Sequence, residues 1–126
     1  MKHIININDV PVKEITGRKI MDLVNGEITG SKKISLRITD VLPEQTASPG
    51  HTHTACEEII FVFSGHGRIK IEDKTFEMKQ GDAIYLPQGV RHLIQNDGKK
   101  VMRLFCAFSS PDFIRDLQNE KSMEFD

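Results

Sequence analysis

Short runs of alternating apolar and polar residues, separated by turn-forming residues, are the feature that most constrains how this chain can fold. In the segment 34–39 every even position is apolar and every odd position is polar. Because successive side chains of a strand point to opposite faces, this period of two predicts a β-strand. Similar runs recur at spacings of about 8 to 12 residues, and helical periodicity is almost absent before residue 110. The pattern predicts an all-β sandwich or barrel.

Glycine, proline, asparagine and aspartate bound most of these runs and set the expected strand ends. The polar, proline-containing stretch 43–50 is predicted to be a connection. One short helix is expected near the C-terminus, over about residues 111–120, with Ser110 as N-cap and Pro111 at the first helical position. The predicted strands cover residues 4–7, 19–24, 34–42, 58–63, 68–72, 75–78, 83–86, 91–95 and 101–108.

Length and charge limit the class of protein. The 126 residues suit a single domain, residues 1–126, with the barrel core over about 34–108. The formal charge of −1 gives no general attraction for nucleic acids or membranes, and we expect neither as a partner. No apolar run approaches the roughly 20 residues that span a bilayer, and the N-terminus lacks the apolar stretch of a signal peptide. With only Cys56 and Cys106, no disulfide framework is expected, so we predict a cytoplasmic protein.

Two histidines separated by one residue form the first cluster with metal-binding character. Side chains two apart on a strand leave the same face, so His51 and His53 could reach one point. Glu57 and Glu58 follow at the start of an apolar strand. Two imidazoles and a carboxylate suit Fe, Mn, Ni, Zn or Co. On this segment alone, a solvated pair of loop histidines is an equally good interpretation.

A second segment, residues 81–96, supplies a third histidine. Gly81 permits a positive φ before a strand, and Pro87 and Gly89 form the next corner. His92 then begins a strand and is expected to face inward. Brought across a barrel, its imidazole could complete a metal-binding set with the first cluster.

The two segments resemble the motifs of the cupin superfamily, in particular its small single-domain members with an RmlC-like barrel. The first motif of that family places a glutamate three or four residues after His-x-His and a glycine six residues later. His51, His53, Glu58 and Gly65 match it.

The second cupin motif is a glycine, five residues, Pro-x-Gly, two residues, a histidine, three residues and an asparagine. Gly81, Pro87, Gly89, His92 and Asn96 match every fixed position. The resemblance covers roughly residues 34–108. It implies a double-stranded β-helix, the jelly-roll barrel of cupins, which binds one divalent transition-metal ion of unspecified identity through His51, His53, Glu58 and His92.

Two adjacent glutamates compete for the carboxylate position. Glu57 gives the three-residue spacing from His53, and Glu58 gives the four-residue spacing. Only Glu58 keeps the six-residue distance to Gly65, so we predict Glu58 as the ligand and retain Glu57 as the alternative. The longer spacing implies a bulge between His53 and Glu58, since odd and even positions of a strand otherwise face opposite ways.

Three further residues are candidates for catalytic groups. Tyr85 could supply a phenol, Arg37 could meet an anionic substrate, and Glu57 could act as an acid or base near the metal. Each residue is also typical of a solvated or structural position.

The resemblance leaves three hypotheses on function, because cupins include dioxygenases, isomerases, lyases and non-catalytic binders. The first is a metal-dependent enzyme acting on a small, oxygen-rich metabolite. The second is a binding or sensor module without turnover, and the third is an interaction protein with a vestigial site. Cupin barrels commonly pair through N-terminal strands and a sheet face. A homodimer is therefore expected, with Ile4, Ile5 and Ile7 as an apolar edge that needs covering.

Overall fold

Eleven β-strands make up most of the regular structure in the computed structural model, which describes residues 2–126. They are β1 (Lys13–Ile15), β2 (Arg18–Val24), β3 (Ser35–Val41), β4 (Thr46–His53), β5 (Glu58–Ser64), β6 (His66–Ile71), β7 (Lys74–Lys79), β8 (Ala83–Leu86), β9 (Arg91–Gln95), β10 (Met102–Phe108) and β11 (Leu117–Glu120).

The strands form two antiparallel sheets. One has six strands in the order β1-β2-β3-β10-β5-β8, and the other has five in the order β11-β4-β9-β6-β7. Consecutive strands therefore often lie in different sheets, as when β4 of the smaller sheet is followed by β5 of the larger one. The all-β fold predicted from the alternating runs is confirmed.

Alternation along the strands separates an inner face from an outer one. In β5, Ile60 and Val62 are fully buried, whereas Ile59, Phe61 and Phe63 are exposed. The inner faces of both sheets meet in one hydrophobic cluster. Because the outward side of β5 is also apolar, sequence alternation alone would not have distinguished its two faces.

In β3 the polar set of side chains points inward. Arg37 lies opposite Cys106 of β10, and Thr39 lies opposite Leu104, and both partners are buried in the core. Residues paired across a ladder share one face of the sheet. Arg37 and Thr39 therefore line the barrel interior, and Leu36 lies on the other face.

Helical structure is short and lies early in the chain. A 3-10 helix covers Ile7–Asp9, and an α-helix, α1, covers Gly26–Thr29. Asn25 caps α1 by accepting a hydrogen bond from the backbone N–H of Ile28 at 2.7 Å. Within residues 2–126, no helix has the length and apolar character needed to cross a bilayer.

Two predictions for the first half of the chain are wrong. Residues 4–7 form no strand, because Ile4 is 91% exposed and Ile7 begins the 3-10 helix, which Asn6 caps. Residues 43–50 are not entirely a connection, since β4 begins at Thr46 and pairs with β9 despite its proline. A register shift between Ala47 and His51 accommodates that irregular stretch.

The C-terminal helix predicted over about 111–120 is also wrong. Asp112 does accept a bond from the N–H of Arg115 at 3.3 Å, as a helix cap would, but only a turn follows. Leu117–Glu120 then extend and pair with β4. One helical turn is marginal by itself, whereas the free edge of β4 offers a ladder of backbone hydrogen bonds. Thr52 adds a side-chain bond to Glu120 at 2.9 Å.

Candidate metal centre

Three imidazoles meet inside the barrel. The ring centroids of His51 and His92 are 4.4 Å apart, those of His51 and His53 are 5.0 Å apart, and those of His53 and His92 are 5.4 Å apart. One nitrogen from each ring lies within 4.8 Å of the others. His51, His53 and His92 could therefore hold a metal ion.

Strand pairing explains why the three rings converge. His51 lies opposite His92 in the ladder between β4 and β9, so both side chains leave the same face. His53 is two residues beyond His51 on β4 and shares that face. The smaller sheet thus presents all three imidazoles to one point.

Backbone carbonyls orient two of the rings. Nδ1 of His51 lies 3.4 Å from the carbonyl oxygen of Pro49, and Nδ1 of His92 lies 3.2 Å from that of Val90. A carbonyl oxygen only accepts hydrogen bonds, so in both rings Nδ1 carries the proton. The lone pair is then left on Nε2, which is the arrangement that a metal-binding histidine needs.

The opposite sheet contributes Glu58, the first residue of β5. Its Oε1 lies 3.3 Å from Nε2 of His53 and 3.4 Å from Nε2 of His92. Burial alone would raise the pKa of Glu58, but the two imidazole contacts outweigh it and lower the pKa from 4.5 to about 2. Glu58 is therefore a carboxylate at neutral pH although it is only 5% exposed.

Several buried polar atoms of this cluster have no hydrogen-bond partner. Among residues 2–126, nothing hydrogen-bonds to either ring nitrogen of His53 or to Oε1 of Glu58. Nε2 of His53 and Oε1 of Glu58 are 3.3 Å apart but form no hydrogen bond. Orphaned buried polar atoms are rare and costly, and an ion held by one ring nitrogen of His53 and by Oε1 of Glu58 would satisfy both of those atoms.

The separations are compatible with one cation shared by these side chains. Nitrogens of His51, His53 and His92 lie within 4.8 Å of one another. Oε1 of Glu58 lies 3.3 Å from Nε2 of His53 and 3.4 Å from Nε2 of His92, near the roughly 3 Å between neighbouring ligand atoms when metal–ligand bonds are about 2.1 Å. The donor set, nitrogen with one carboxylate oxygen, suits first-row transition metals.

His51 is neutral in this environment. Burial is the largest cause that lowers its pKa, to about 3, and repulsion by His92 adds to it, although Glu58 acts in the opposite direction. A neutral imidazole is the form that binds metal.

The expected bulge between His53 and Glu58 is not how the chain brings these residues together. β4 ends at His53, residues 54–57 form a connection, and β5 begins at Glu58 in the other sheet. The four-residue spacing thus spans a change of sheet, and no single strand needs to reverse its faces.

Two of the three candidate catalytic residues lie away from this cluster. The Tyr85 hydroxyl donates to the carboxylate of Glu57 on the outer face of the larger sheet. Both side chains border a groove with Ile59 and Ala107, and Tyr85 is 57% exposed. Glu57 alternates with Glu58 along the chain, so the inward position of one directs the other outward.

Arg37 is the candidate that the structure places at the site. It lines a cavity of about 210 Å³ together with the three imidazoles and Glu58. Its guanidinium pairs with Asp22 through two hydrogen bonds of 2.7 and 3.1 Å and lies 4.6 Å from the centre of the Phe113 ring.

Sequence reasoning missed two cavity residues, Arg18 and Phe113. Phe113 was expected on a helix that does not form, and instead its ring stacks on Phe108 with a centroid separation of 3.8 Å. Arg18 precedes an apolar strand and gave no signal of its own. Its register opposite Val41, which is fully buried, directs it inward.

Comparison with known proteins gives the family. Residues 37–108 match the model of the cupin domain, so this chain belongs to the cupin family. It is 30% identical over 95 residues to an uncharacterised protein of Methanocaldococcus jannaschii, covering 75% of each chain.

Solved structures agree on the fold. Pac13, a nucleoside dehydratase from Streptomyces, superimposes with a TM-score of 0.81 at 12% identity, over 98% of this chain and 95% of Pac13. An oxalate decarboxylase from Lactobacillus farciminis superimposes with a TM-score of 0.78 at 23% identity, over 89% of this chain but 34% of the decarboxylase. At these identities the likeness shows the jelly-roll fold alone.

Proposed function

We propose that this protein is a metal-dependent enzyme that acts on a small, oxygen-rich metabolite. In this proposal His51, His53, Glu58 and His92 hold one divalent ion of Fe, Mn, Ni, Zn or Co. The observation that carries the proposal is the meeting of three imidazoles from one sheet with a buried carboxylate from the other.

The ligand set would leave part of the shell of a six-coordinate ion for a substrate. Four protein ligands would leave two positions, and three neutral imidazoles with one carboxylate would leave a net charge of +1 on a divalent ion. A bound ion would supply Lewis acidity to a substrate oxygen, or oxygen activation if it is iron.

The remaining cavity residues would position the substrate. Phe108, Phe113 and Leu104 form apolar walls that limit water, which strengthens electrostatic interactions within the cavity. Arg37 is held by Asp22 and faces the cavity as a fixed positive group. The presence of a nucleoside dehydratase and an oxalate decarboxylase among the proteins of similar fold supports an enzyme.

One observation favours a second candidate, a binding module without turnover. Of the cavity-lining residues, Glu58 is the only carboxylate, and we assign it to the metal. Glu57 and Tyr85 lie on the outer face, so a dedicated acid or base is not evident beside the open metal positions. A binder would need the metal site and the cavity but no such group.

Metal analysis followed by activity screens separates the candidates. We expect the purified protein to contain one transition-metal ion per chain, and the His92→Ala variant to contain much less. Oxygen uptake, isomerisation, decarboxylation and dehydration would then be screened with both proteins. Turnover by the wild type alone supports the enzyme, whereas stoichiometric metal without turnover supports the binding module. A wild-type protein that binds no transition metal contradicts both.

The expected homodimer also stays a proposal, on changed grounds. The apolar edge expected at Ile4, Ile5 and Ile7 is absent, since residues 4–7 form no strand. The outer face of β5 instead exposes Ile59, Phe61 and Phe63, and we propose that a second copy covers this stripe through a two-fold contact. Sedimentation velocity should show a dimer that Phe63→Lys dissociates, and a wild-type monomer would contradict this.

A further inference from the structure

The cavity beside the metal cluster contains a second arginine, Arg18, whose position is set by two sheets. It begins β2 of the larger sheet, and its guanidinium donates to the carbonyl oxygen of Ser48 on β4 of the smaller sheet at 3.3 Å. The same Nη1 donates to the carbonyl of Thr16 at 2.8 Å. Arg18 and the imidazoles of His51, His53 and His92 line one cavity.

Among residues 2–126, the charge of Arg18 has no acidic counterpart. Four of the six arginines form ion pairs with carboxylates, and one of these is Arg37 with Asp22. Arg68 donates to Gln95 and packs on Phe125. Within residues 2–126, no carboxylate lies within ion-pair distance of Arg18, and its bonds to backbone carbonyls use only Nη1. Its Nε and Nη2 are therefore left for a ligand.

Burial makes this unpaired charge costly. Desolvation is the largest cause that lowers the pKa of Arg18, and repulsion by Arg37 is the second. An anion bound at Arg18 would relieve both effects. Arg37 has less need of a bound anion, because Asp22 already neutralises its charge with two hydrogen bonds.

We propose that Arg18 is the residue that selects the substrate, by binding a carboxylate group while a second oxygen of the same molecule reaches the metal centre. The planar guanidinium fork matches a carboxylate in a bidentate pair. The cavity volume of about 210 Å³ limits this ligand to a small molecule. The substrate class is therefore a small hydroxy-, keto- or dicarboxylate. This inference rests on the proposed metal site, and it assigns to Arg18 the anion-binding role that the sequence suggests for Arg37.

Glycolate binding to the metal-loaded protein tests the inference, with glycolamide as the neutral analogue and inorganic phosphate as the competing anion. We expect glycolate to bind at least about tenfold more tightly than glycolamide, and Arg18→Gln to remove that preference, because one charge-assisted pair is lost. Arg18→Lys should recover only part of it, since it restores the charge without the fork.

The matched control is Arg103→Gln. Arg103 lies in the same sheet but pairs with Asp40 and does not line the cavity, so glycolate binding should be unchanged. Metal content, measured first for every variant, separates this inference from the metal site, because Arg18→Gln should retain stoichiometric metal. Equal glycolate binding by wild type and Arg18→Gln, no glycolate binding by the wild type, or tighter binding of phosphate than of glycolate would each overturn the inference.

Discussion

His51 and His92 lie directly opposite each other in the antiparallel ladder of β4 and β9, with ring centroids 4.4 Å apart. Nδ1 of His51 faces the carbonyl of Pro49, and Nδ1 of His92 faces that of Val90. The Nε2 atoms of both rings are therefore free to bind an ion. The backbone register thus preorganises two of the four candidate metal ligands before any ion binds.

Removing one imidazole should weaken metal binding strongly. Loss of an outer-shell partner of a metal ligand already costs about 10- to 100-fold in affinity, so we expect His92→Ala to lower affinity by more than about 100-fold. Competition with a chromophoric chelator measures it. His66→Ala is the control, because His66 is exposed and contacts Asp97 rather than the cluster. Similar losses in both variants would show that the cluster is not the binding site.

The two adjacent glutamates should behave differently. Glu58→Gln removes the buried carboxylate without changing the side-chain shape, and we expect at least about a tenfold loss of metal affinity. Glu57→Gln should leave the affinity unchanged, since Glu57 bonds to Tyr85 on the outer face. The same chelator competition compares them, and a larger loss in Glu57→Gln would reverse the assignment.

Phe113 should contribute to stability through the wall of the cavity. Phe113→Ala removes a ring that is 7% exposed, stacks on Phe108 and contacts the guanidinium of Arg37. Its expected cost is about 3–5 kcal/mol in the free energy of unfolding. The neighbouring Ile114 is 51% exposed, and Ile114→Ala should change stability by less than about 0.5 kcal/mol. Urea denaturation measures the stability of both variants. An equal loss of stability in both would contradict the buried position of Phe113 and the exposed position of Ile114.

Acid should destabilise the metal-free protein in a specific window. The pKa of His51 is about 3 in the folded protein and near 6.5 when exposed, so the folded state binds fewer protons between these values. Its contribution to stability is complete above about pH 6.5 and decreases as pH falls toward 3. The lowered pKa of Glu58, about 2 against 4.5, extends the loss further downward.

Urea denaturation of the metal-free protein at several pH values measures this dependence. His51→Gln should flatten the curve between about pH 6.5 and 4.5 and reduce its slope between about 4.5 and 3, where Glu58 still contributes. An unchanged slope in that variant would show that His51 does not titrate in the way its environment implies.

The motifs predicted much of the architecture because local backbone geometry determines where their glycines and prolines occur. β8 and β9 begin and end where the alternation and the Pro87 and Gly89 corner place them. The strand over 19–24 is likewise confirmed as β2. Gly81 and Gly89 have φ values of 93° and 83°, which favour glycine.

Other features depended on tertiary contacts that local pattern does not encode. The segment after Ser110 carries helix-capping residues, but the free edge of β4 draws it into β11. The alternation in β3 does not indicate which face lies inside the barrel. In the structure it is the polar face that lines the cavity. Arg18 gave no signal because its role follows from lying opposite Val41. In each of these three cases, a residue distant in sequence determines the outcome.

An anomalous-scattering map of crystals of the metal-loaded protein, collected at the absorption edge of the bound metal, tests the site most directly. We expect one peak per chain, about 2.0–2.2 Å from a nitrogen of His51, His53 and His92 and from a carboxylate oxygen of Glu58. A peak elsewhere, or none in protein that retains stoichiometric metal, would contradict the proposed centre.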